Sequence, residues 1–316
     1  MEIKISQKWL DSRPTSPAES SIASGSIMML NELDVRGEEL FREFVGQAPA
    51  TEIRRRGWLD SYVDSAAKMT TDAILSAFSN FILTRPPTLA TQTMFRESAE
   101  VAQRSLWREL TTHLWLAHSA STAIADEIPE FQQEALEEKP IAELVQLSRF
   151  EDGPAQAGEW LKNAGIHLSV NNPLPTMRLD GAALMLQDNR PLIALTLRFD
   201  RLDSFWFTLL HELGHIKRHI MKDSRLSFLD DIEESSAGEE FEAEADAFAR
   251  NSAIPKDIWR RSEARRLCKK KAVLDLAVQL QIHPAIIAGR LRFENQDYTL
   301  FPELVGQDQV REYLIG

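Results

Sequence analysis

The histidines at positions 211 and 215 form the feature of this sequence with the clearest chemical meaning. If their segment is helical, a spacing of four residues puts both imidazoles on one face, one turn apart, where they can bind the same tetrahedral metal ion. Glu212 directly follows His211 and lies roughly 100° around the helix, so it can accept a proton from a water without being a ligand. The H-E-x-x-H pattern therefore predicts a zinc site with a general base beside it.

A catalytic zinc site needs a third protein ligand besides two histidines and a water. Glu242 and Asp246 share one face of a second predicted helix that opens near residue 236. Glu242 is the predicted third ligand, and Asp246 is predicted to accept the free ring N–H of a ligating histidine and so fix its tautomer. Glu244, on the opposite side of that helix, stays as the alternative ligand. A solvated acidic surface is the competing interpretation of this glutamate-rich segment.

The elements that must position these residues can be predicted from the apolar pattern. Residues 205–215 are rich in large apolar side chains, which predicts a buried helix, and Asp203 or Ser204 is expected to cap its start. Residues 165–170 alternate as a strand does, and the apolar runs at 181–186 and 191–197 are separated by the turn sequence Asp188-Asn189-Arg190. A small sheet is therefore predicted to precede the helix and pack on it.

A chain of 316 residues favours two domains, or one domain with a substantial extension. Residues 1–30 contain two prolines and a Ser/Ala-rich stretch, which predicts a flexible leader. Residues 31–139 show helical periodicity and predict an α-helical region to which no motif assigns a role. Residues 140–316 are predicted to form the domain that carries the metal site. The expected fold class is α+β, mainly helical.

Composition narrows the possible environments and partners. The single cysteine, Cys268, excludes an internal disulfide framework and a cysteine-rich zinc site. No apolar stretch has the length of a membrane span or a secretory signal, so we expect no membrane partner and a cytoplasmic location. The formal net charge of −12 opposes a general attraction to nucleic acid. The basic run at 259–271 is interpreted as a solvated helix face, and the helix-turn-helix outline at 274–291 as packing against the domain.

The two chemical segments together resemble the ImmA/IrrE family of metallo-endopeptidases. Residues 207–215, FTLLHELGH, are similar to the family pattern F-T-x-x-H-E-x-G-H, and residues 242–249, EAEADAFA, followed by AIP at 253–255, are similar to its E-x-E-A-N/D-x-F-A and L-I/M-P. The resemblance covers roughly residues 140–295. It implies a zincin-like (gluzincin) peptidase domain with a small sheet packed on the H-E-x-x-H helix, Zn2+ as the cofactor, and Glu242 as the third ligand.

The resemblance also implies a protein substrate such as a DNA-binding transcriptional repressor. In the HigA-related branch of the family, members often carry an N-terminal helix-turn-helix domain, and none is recognisable in this sequence. Direct nucleic-acid binding is therefore not favoured. The alternative function is an antitoxin-like or transcriptional regulatory module, in which the zinc site is structural or vestigial.

The remaining histidines carry weaker signals. His219 lies eight residues after His211 and is interpreted as a helix-end histidine rather than a fourth ligand, because a catalytic zinc keeps one position for water. Stabilising the oxyanion of a peptidase reaction calls for a further donor, and His283 and Tyr298 are the candidates, with neither preferred.

Overall fold

The computed structural model describes residues 48–58, 111–222 apart from positions 113, 117, 124 and 187, 227–229 and 236–315. The chain divides into two compact units, Met1–Trp107 and Arg108–Gly316. In the first unit, helix α1 (Ala48–Arg55) is described. The predicted leader and most of the predicted helical region at 31–139 lie outside the described residues, so the domain boundary near residue 140 stays a prediction.

The described part of the second unit is mainly helical with a small sheet, which confirms the predicted α+β class. From residue 138 onward its α-helices are α2 (Glu138–Gln146), α3 (Gly153–Asn163), α4 (Leu202–His215), α5 (Ser236–Ala253), α6 (Lys256–Arg261), α7 (Glu263–Leu267), α8 (Lys270–Leu280), α9 (Pro284–Asn295) and α10 (Arg311–Leu314), and its strands are β1 (His167–Val170), β2 (Gly181–Met185), β3 (Pro191–Leu195) and β4 (Ser227–Leu229). Among the described helices, none has the length and apolar character that crossing a membrane requires.

The sheet has the strand order β1-β3-β2-β4. β1 runs parallel to β3, while β2 is antiparallel to both β3 and β4. The predicted hairpin between β2 and β3 is confirmed: Asn189 has a positive φ of 61°, and the backbone N–H of Arg190 donates to Asp188 Oδ1 at 3.1 Å. The sheet therefore brings the start of β2 next to the end of β3.

Helix α4 packs against β2 and β3 on one side and against α5 and α9 on others. Five of its large apolar residues are at most 1% exposed: Phe205, Trp206, Leu209, Leu210 and Leu213. Burying such side chains stabilises the fold by roughly 1.5–3 kcal/mol each relative to exposing them. The element that carries both histidines is thus held from several sides.

The predicted cap of α4 by Asp203 or Ser204 is wrong. The helix begins at Leu202, and its N-cap residue Arg201 makes no side-chain capping bond. The first N–H groups donate instead to backbone carbonyls from the C-terminal segment: Leu202 to Gly306 O at 3.1 Å and Asp203 to Val305 O at 3.3 Å. Because a distant segment satisfies these donors, the helix can start without a capping side chain.

Asp203 has a different role, since its buried carboxylate lies 2.9 Å from Arg201 Nε and 3.9 Å from Arg292 Nη1. Helix α9 approaches α4 closely at this point, because a Cβ at Gly289 would lie 2.8 Å from Asp203 Cβ. The α8–α9 pair, which has the outline of a helix-turn-helix, therefore packs through α9 against the metal-site helix, as the sequence interpretation expects.

His283 caps helix α9, because its Nδ1 accepts the backbone N–H of Ala285 at 3.1 Å. His283→Ala removes this acceptor and is expected to lower the free energy of unfolding by about 1 kcal/mol, whereas His283→Asn keeps an acceptor and should cost little. Urea unfolding of the two variants beside the wild type measures the difference.

The same cap should make stability depend on pH. Burial lowers the pKa of His283, so its contribution is complete above the unfolded value of about 6.5 and is lost as the pH falls below it. Between pH 7.5 and 5.5, the wild type is expected to lose more stability than His283→Asn. Equal losses in both proteins would contradict a titrating cap.

Candidate metal centre

Three predicted ligand residues converge on one point. His211 Nε2 and His215 Nε2 lie 2.9 Å apart. The two carboxylate oxygens of Glu242 face these nitrogens, with Oε2 at 3.1 Å from His211 Nε2 and Oε1 at 3.2 Å from His215 Nε2. Within the described part of the chain, this is the group of histidine and acidic side chains whose ligand atoms lie close enough to hold one metal ion.

The spacing of these atoms fits a tetrahedral metal. Ligand atoms at 2.0–2.1 Å from a tetrahedral ion lie about 3.3 Å from one another, and the observed separations of 2.9, 3.1 and 3.2 Å are slightly shorter. Small outward movements of the three side chains would accommodate the ion. The site is mostly enclosed, since His211 is 6% and His215 0% exposed.

The chemistry of the donors also suits a cation. Asp246 Oδ1 lies 3.1 Å from His211 Nδ1 and accepts a hydrogen bond from it. With the proton on Nδ1, the neutral ring of His211 directs the lone pair of Nε2 at His215 and Glu242. A positive ion between these atoms would be bound by all three lone pairs at once, whereas without the ion an imidazole Nε2–H can donate to the Glu242 carboxylate instead.

The pKa shifts favour the ligand forms of these side chains near neutral pH. Burial alone would raise the pKa of Glu242, but its contacts with the two imidazoles outweigh burial and lower the pKa to about 2. Burial lowers the pKa of His215 despite its contact with Glu242. A neutral imidazole and an ionised carboxylate are the forms that bind metal.

Asp246 is itself fixed by a second contact, because Arg250 Nη1 donates to its Oδ2 at 2.7 Å. Burial alone would raise the pKa of Asp246, but the hydrogen bonds with His211 and Arg250 outweigh it and lower the pKa. Asp246 therefore contacts the ring nitrogen of His211 that faces away from the convergence point.

A close helix–helix contact brings Glu242 to the histidines. A Cβ added to Gly214 would lie 3.1 Å from Ala245 Cα and 3.1 Å from Phe248 Cδ1, so α4 and α5 approach as closely as a glycine permits. Ala245 lies at the contact and is fully buried. With 100° between successive residues, Glu244 and Asp246 leave this contact on opposite sides, and Glu242 lies about one turn before it.

Glu212 lies on α4 with its carboxylate against the first residue of β2. It is 0% exposed, and a Cβ added to Gly181 would overlap Glu212 Oε1 and lie 3.1 Å from its carboxyl carbon. The absence of a side chain at Gly181 therefore leaves the space in which the Glu212 carboxylate lies. Nothing in the sequence pattern pointed to this contact, because Gly181 is separated from Glu212 by the whole of β3.

Glu244, the alternative ligand, is not part of the convergence point. Its Oε2 lies 3.1 Å from His219 Nε2, and His219 Nδ1 lies 3.2 Å from His215 Nδ1. His219 lies in the last turn of the helix and outside the ligand group, as the sequence interpretation expects, and it is buried beside the site at 2% exposed. The sequence signal for this pair is the repeat of histidine at positions 211, 215 and 219, combined with the E-x-E spacing on α5.

The other candidate residues lie in different surroundings. His167 is buried on β1 with its Nε2 3.9 Å from Asp188 Oδ2, and His283 caps α9. Tyr298 is 57% exposed, with its ring 6.0 Å from the guanidinium of Arg292. His118 lies in a helical stretch at 118–123, and His113 lies outside the described residues.

A buried helix with two histidines, joined by a carboxylate from a neighbouring helix, gives this α+β domain a group of side chains that could hold a metal ion. Residues 162–292 match the family model Peptidase_M78, described as the IrrE N-terminal-like domain, and this match supports an ImmA/IrrE family assignment. The matched segment contains all of the residues that converge here. The family supports a function of the metallopeptidase type. Comparison with curated proteins and with solved structures gave no significant match.

Proposed function

We propose that this protein is a zinc-dependent metallo-endopeptidase of the zincin-like (gluzincin) type. His211, His215 and Glu242 hold Zn2+, and Glu212 is the general base. The observation that carries the proposal is the convergence of two imidazole nitrogens and a carboxylate within 3.2 Å of one another, one residue away from a fully buried glutamate.

Zinc is the preferred ion because two histidines and one glutamate form a known ligand set of catalytic zinc, with a fourth position left for water. Imidazole ligands suit zinc and other late transition metals, whereas magnesium and calcium require more oxygen ligands than this site offers. A structural zinc site is instead closed by four protein ligands. A group of three ligands therefore favours catalysis over the structural or vestigial site of the alternative.

The bound ion would supply a Lewis acid that lowers the pKa of a water and polarises a peptide carbonyl. Glu212 accepts the proton of the attacking water on a carboxylate oxygen and returns it to the amine nitrogen as the peptide bond breaks. Asp246 holds His211 by its Nδ1–H, so that Nε2 stays available as a ligand. Burial of Glu212 keeps competing water away from the proton that it carries.

The substrate that we propose is a regulatory protein such as a DNA-binding repressor. The match to the family model and the resemblance of both motifs support a protein substrate. The product chemistry is hydrolysis of an internal peptide bond, which yields one new N-terminus and one new C-terminus for each cut.

Mapping of new N-termini tests this function. Zinc-loaded protein is added to an extract of the cells that produce it, and new protein N-termini are labelled and identified by mass spectrometry. We expect a small set of cleavage sites that disappear with a chelator and with Glu212→Gln. The same variant is also expressed in place of the wild type in those cells. If cells with Glu212→Gln behave as wild-type cells while the variant retains its zinc, the regulatory-module alternative is correct and the peptidase proposal is wrong.

Gly181→Ala should separate activity from stability. The new methyl group would meet the Glu212 carboxylate and lie 2.8 Å from Thr208 Cγ2. The flexible end of Glu212 can move aside at little energetic cost, but a displacement of about 1 Å can slow an enzyme about 100-fold. We expect a loss of turnover of at least about tenfold with unchanged zinc content, measured on a peptide that spans a mapped cleavage site.

Gly158→Ala is the matched control, because a Cβ there would make only an ordinary contact of 3.6 Å with Leu168 Cδ2. That variant should keep its activity. Full activity in Gly181→Ala would contradict the assignment of Glu212 as the base in the position that the structure gives it.

A further inference from the structure

A second carboxylate and histidine lie beside the metal centre and belong to none of the roles assigned so far. Glu244 Oε2 lies 3.1 Å from His219 Nε2, and His219 Nδ1 lies 3.2 Å from His215 Nδ1. The three side chains form a continuous chain of contacts from the half-exposed surface of α5 to the ring of a metal ligand. Its inner members are buried, since His219 is 2% and His215 0% exposed.

The contacts permit one arrangement of protons that is consistent with metal binding. A carboxylate only accepts, so the proton of neutral His219 lies on Nε2 and points at Glu244. Nδ1 of His219 is then an acceptor, and the nitrogen that faces it, Nδ1 of His215, must be the donor. With its proton on Nδ1, His215 directs the lone pair of Nε2 at His211 and Glu242, where the metal would bind.

We propose that Glu244 and His219 form a relay that fixes the tautomer and the ring orientation of His215, as Asp246 does directly for His211. This inference rests on the proposed metal site and adds two positioning residues to it. It also gives a role to the two residues that are not ligands: His219 and Glu244 act through His215 and do not touch the metal.

The backbone supports the positioning role of His219. Directly after His215 the helix widens into a π-helical turn, Ile216–Ile220, in which Met221 N–H donates to Ile216 O five residues earlier. Such turns are rare and occur often at functional sites. A wider turn changes the direction of the following side chains, and here it accompanies a contact between the rings of His215 and His219, whose centroids lie 5.2 Å apart. Phe241 also contacts His219, at 4.6 Å between ring centroids.

Nitrogen NMR of the zinc-loaded wild-type protein tests the proton arrangement without relying on activity. Long-range 1H–15N correlation of histidine rings distinguishes protonation at Nδ1 from protonation at Nε2. We expect His211 and His215 to carry the proton on Nδ1, and His219 to carry it on Nε2. A His219 ring protonated on Nδ1 would overturn the relay, even if zinc is bound by the three proposed ligands.

Zinc affinity, measured by competition with a chelating dye, tests what the relay contributes. His219→Leu is expected to weaken zinc binding by about 10–100-fold, the usual effect of losing an outer partner of a ligand. His219→Asn keeps an acceptor near the position of Nδ1 and should restore most of that loss. Glu244→Leu should weaken binding and Glu244→Gln, whose amide oxygen can still accept, should not.

Glu240 provides the control for charge, because it is an exposed carboxylate one turn earlier on the same helix. Glu240→Leu should leave zinc affinity unchanged. Wild-type affinity in both leucine variants, His219→Leu and Glu244→Leu, would overturn the relay while leaving the metal site intact. A wild-type protein that binds no zinc would overturn the metal site itself, so the two failures are distinguishable.

Discussion

Glu212→Gln is expected to retain zinc and to lose peptidase activity by about 10²–10⁴-fold, the usual contribution of a general base. The substitution preserves the shape of a side chain that is 0% exposed. An amide cannot accept the proton of the attacking water, and Glu212 does not belong to the group of converging ligand atoms. Turnover of a mapped substrate peptide and zinc content per chain are measured on the same preparation.

The matched control is Glu240→Gln, which makes the same chemical change at an exposed position of α5. It should behave as the wild type in both measurements. Loss of zinc in Glu212→Gln would indicate a ligand rather than a base. Unchanged turnover with retained zinc would show that hydrolysis, if it occurs, uses another base.

Glu242→Ala is expected to weaken zinc binding by more than about 100-fold, beyond the upper end of what loss of an outer partner costs. The variant leaves two histidines, which do not make a stable catalytic zinc site. In the wild type, zinc at about 100 times its dissociation constant should stabilise the fold by about 2.7 kcal/mol. In Glu242→Ala at the same zinc concentration, the stabilisation should nearly vanish.

Unfolding by urea with zinc and with chelator measures this difference. Glu240→Ala, which removes a carboxylate from the same helix, should keep the full zinc-dependent stabilisation. If zinc stabilises Glu242→Ala as much as the wild type, Glu242 is not the third ligand. If the zinc-dependent stabilisation is lost in Glu244→Ala and kept in Glu242→Ala, the third ligand is Glu244.

The sequence predicts the elements that depend on local pattern. The apolar residues around His211 and His215 predict a buried helix, and α4 is one. The four-residue spacing of Glu242 and Asp246 predicts that both lie on one helix face, and both contact His211. Local periodicity is sufficient here because each helix buries one face and carries its chemistry beside that face.

Features that depend on distant segments were not predictable in this way. The start of α4 is satisfied by carbonyls of Val305 and Gly306, about a hundred residues downstream. A local capping rule predicts that Asp203 caps the helix, but these carbonyls accept the first helical N–H groups instead. Strand β4, three residues long, has too little pattern to be recognised in the sequence.

The relay of His219 and Glu244 required both the packing of two helices and a local change of helix type. In a regular helix, Glu244 lies on the opposite side from Glu242, which makes it a poor partner for the same histidines. The close approach at Gly214 and Ala245 puts residues on both sides of the contact within reach of α4. The π-helical turn after His215 occurs together with the contact between His219 and Glu244.

Anomalous X-ray diffraction at the zinc absorption edge, recorded on crystals of the zinc-loaded protein, decides whether the three side chains hold the ion. We expect one anomalous peak at 2.0–2.2 Å from His211 Nε2, His215 Nε2 and a carboxylate oxygen of Glu242, the bond lengths of zinc to such ligands. A crystal with no peak between these atoms, or with a zinc ion that Glu242 does not reach, would contradict the proposed metal centre and the peptidase mechanism built on it.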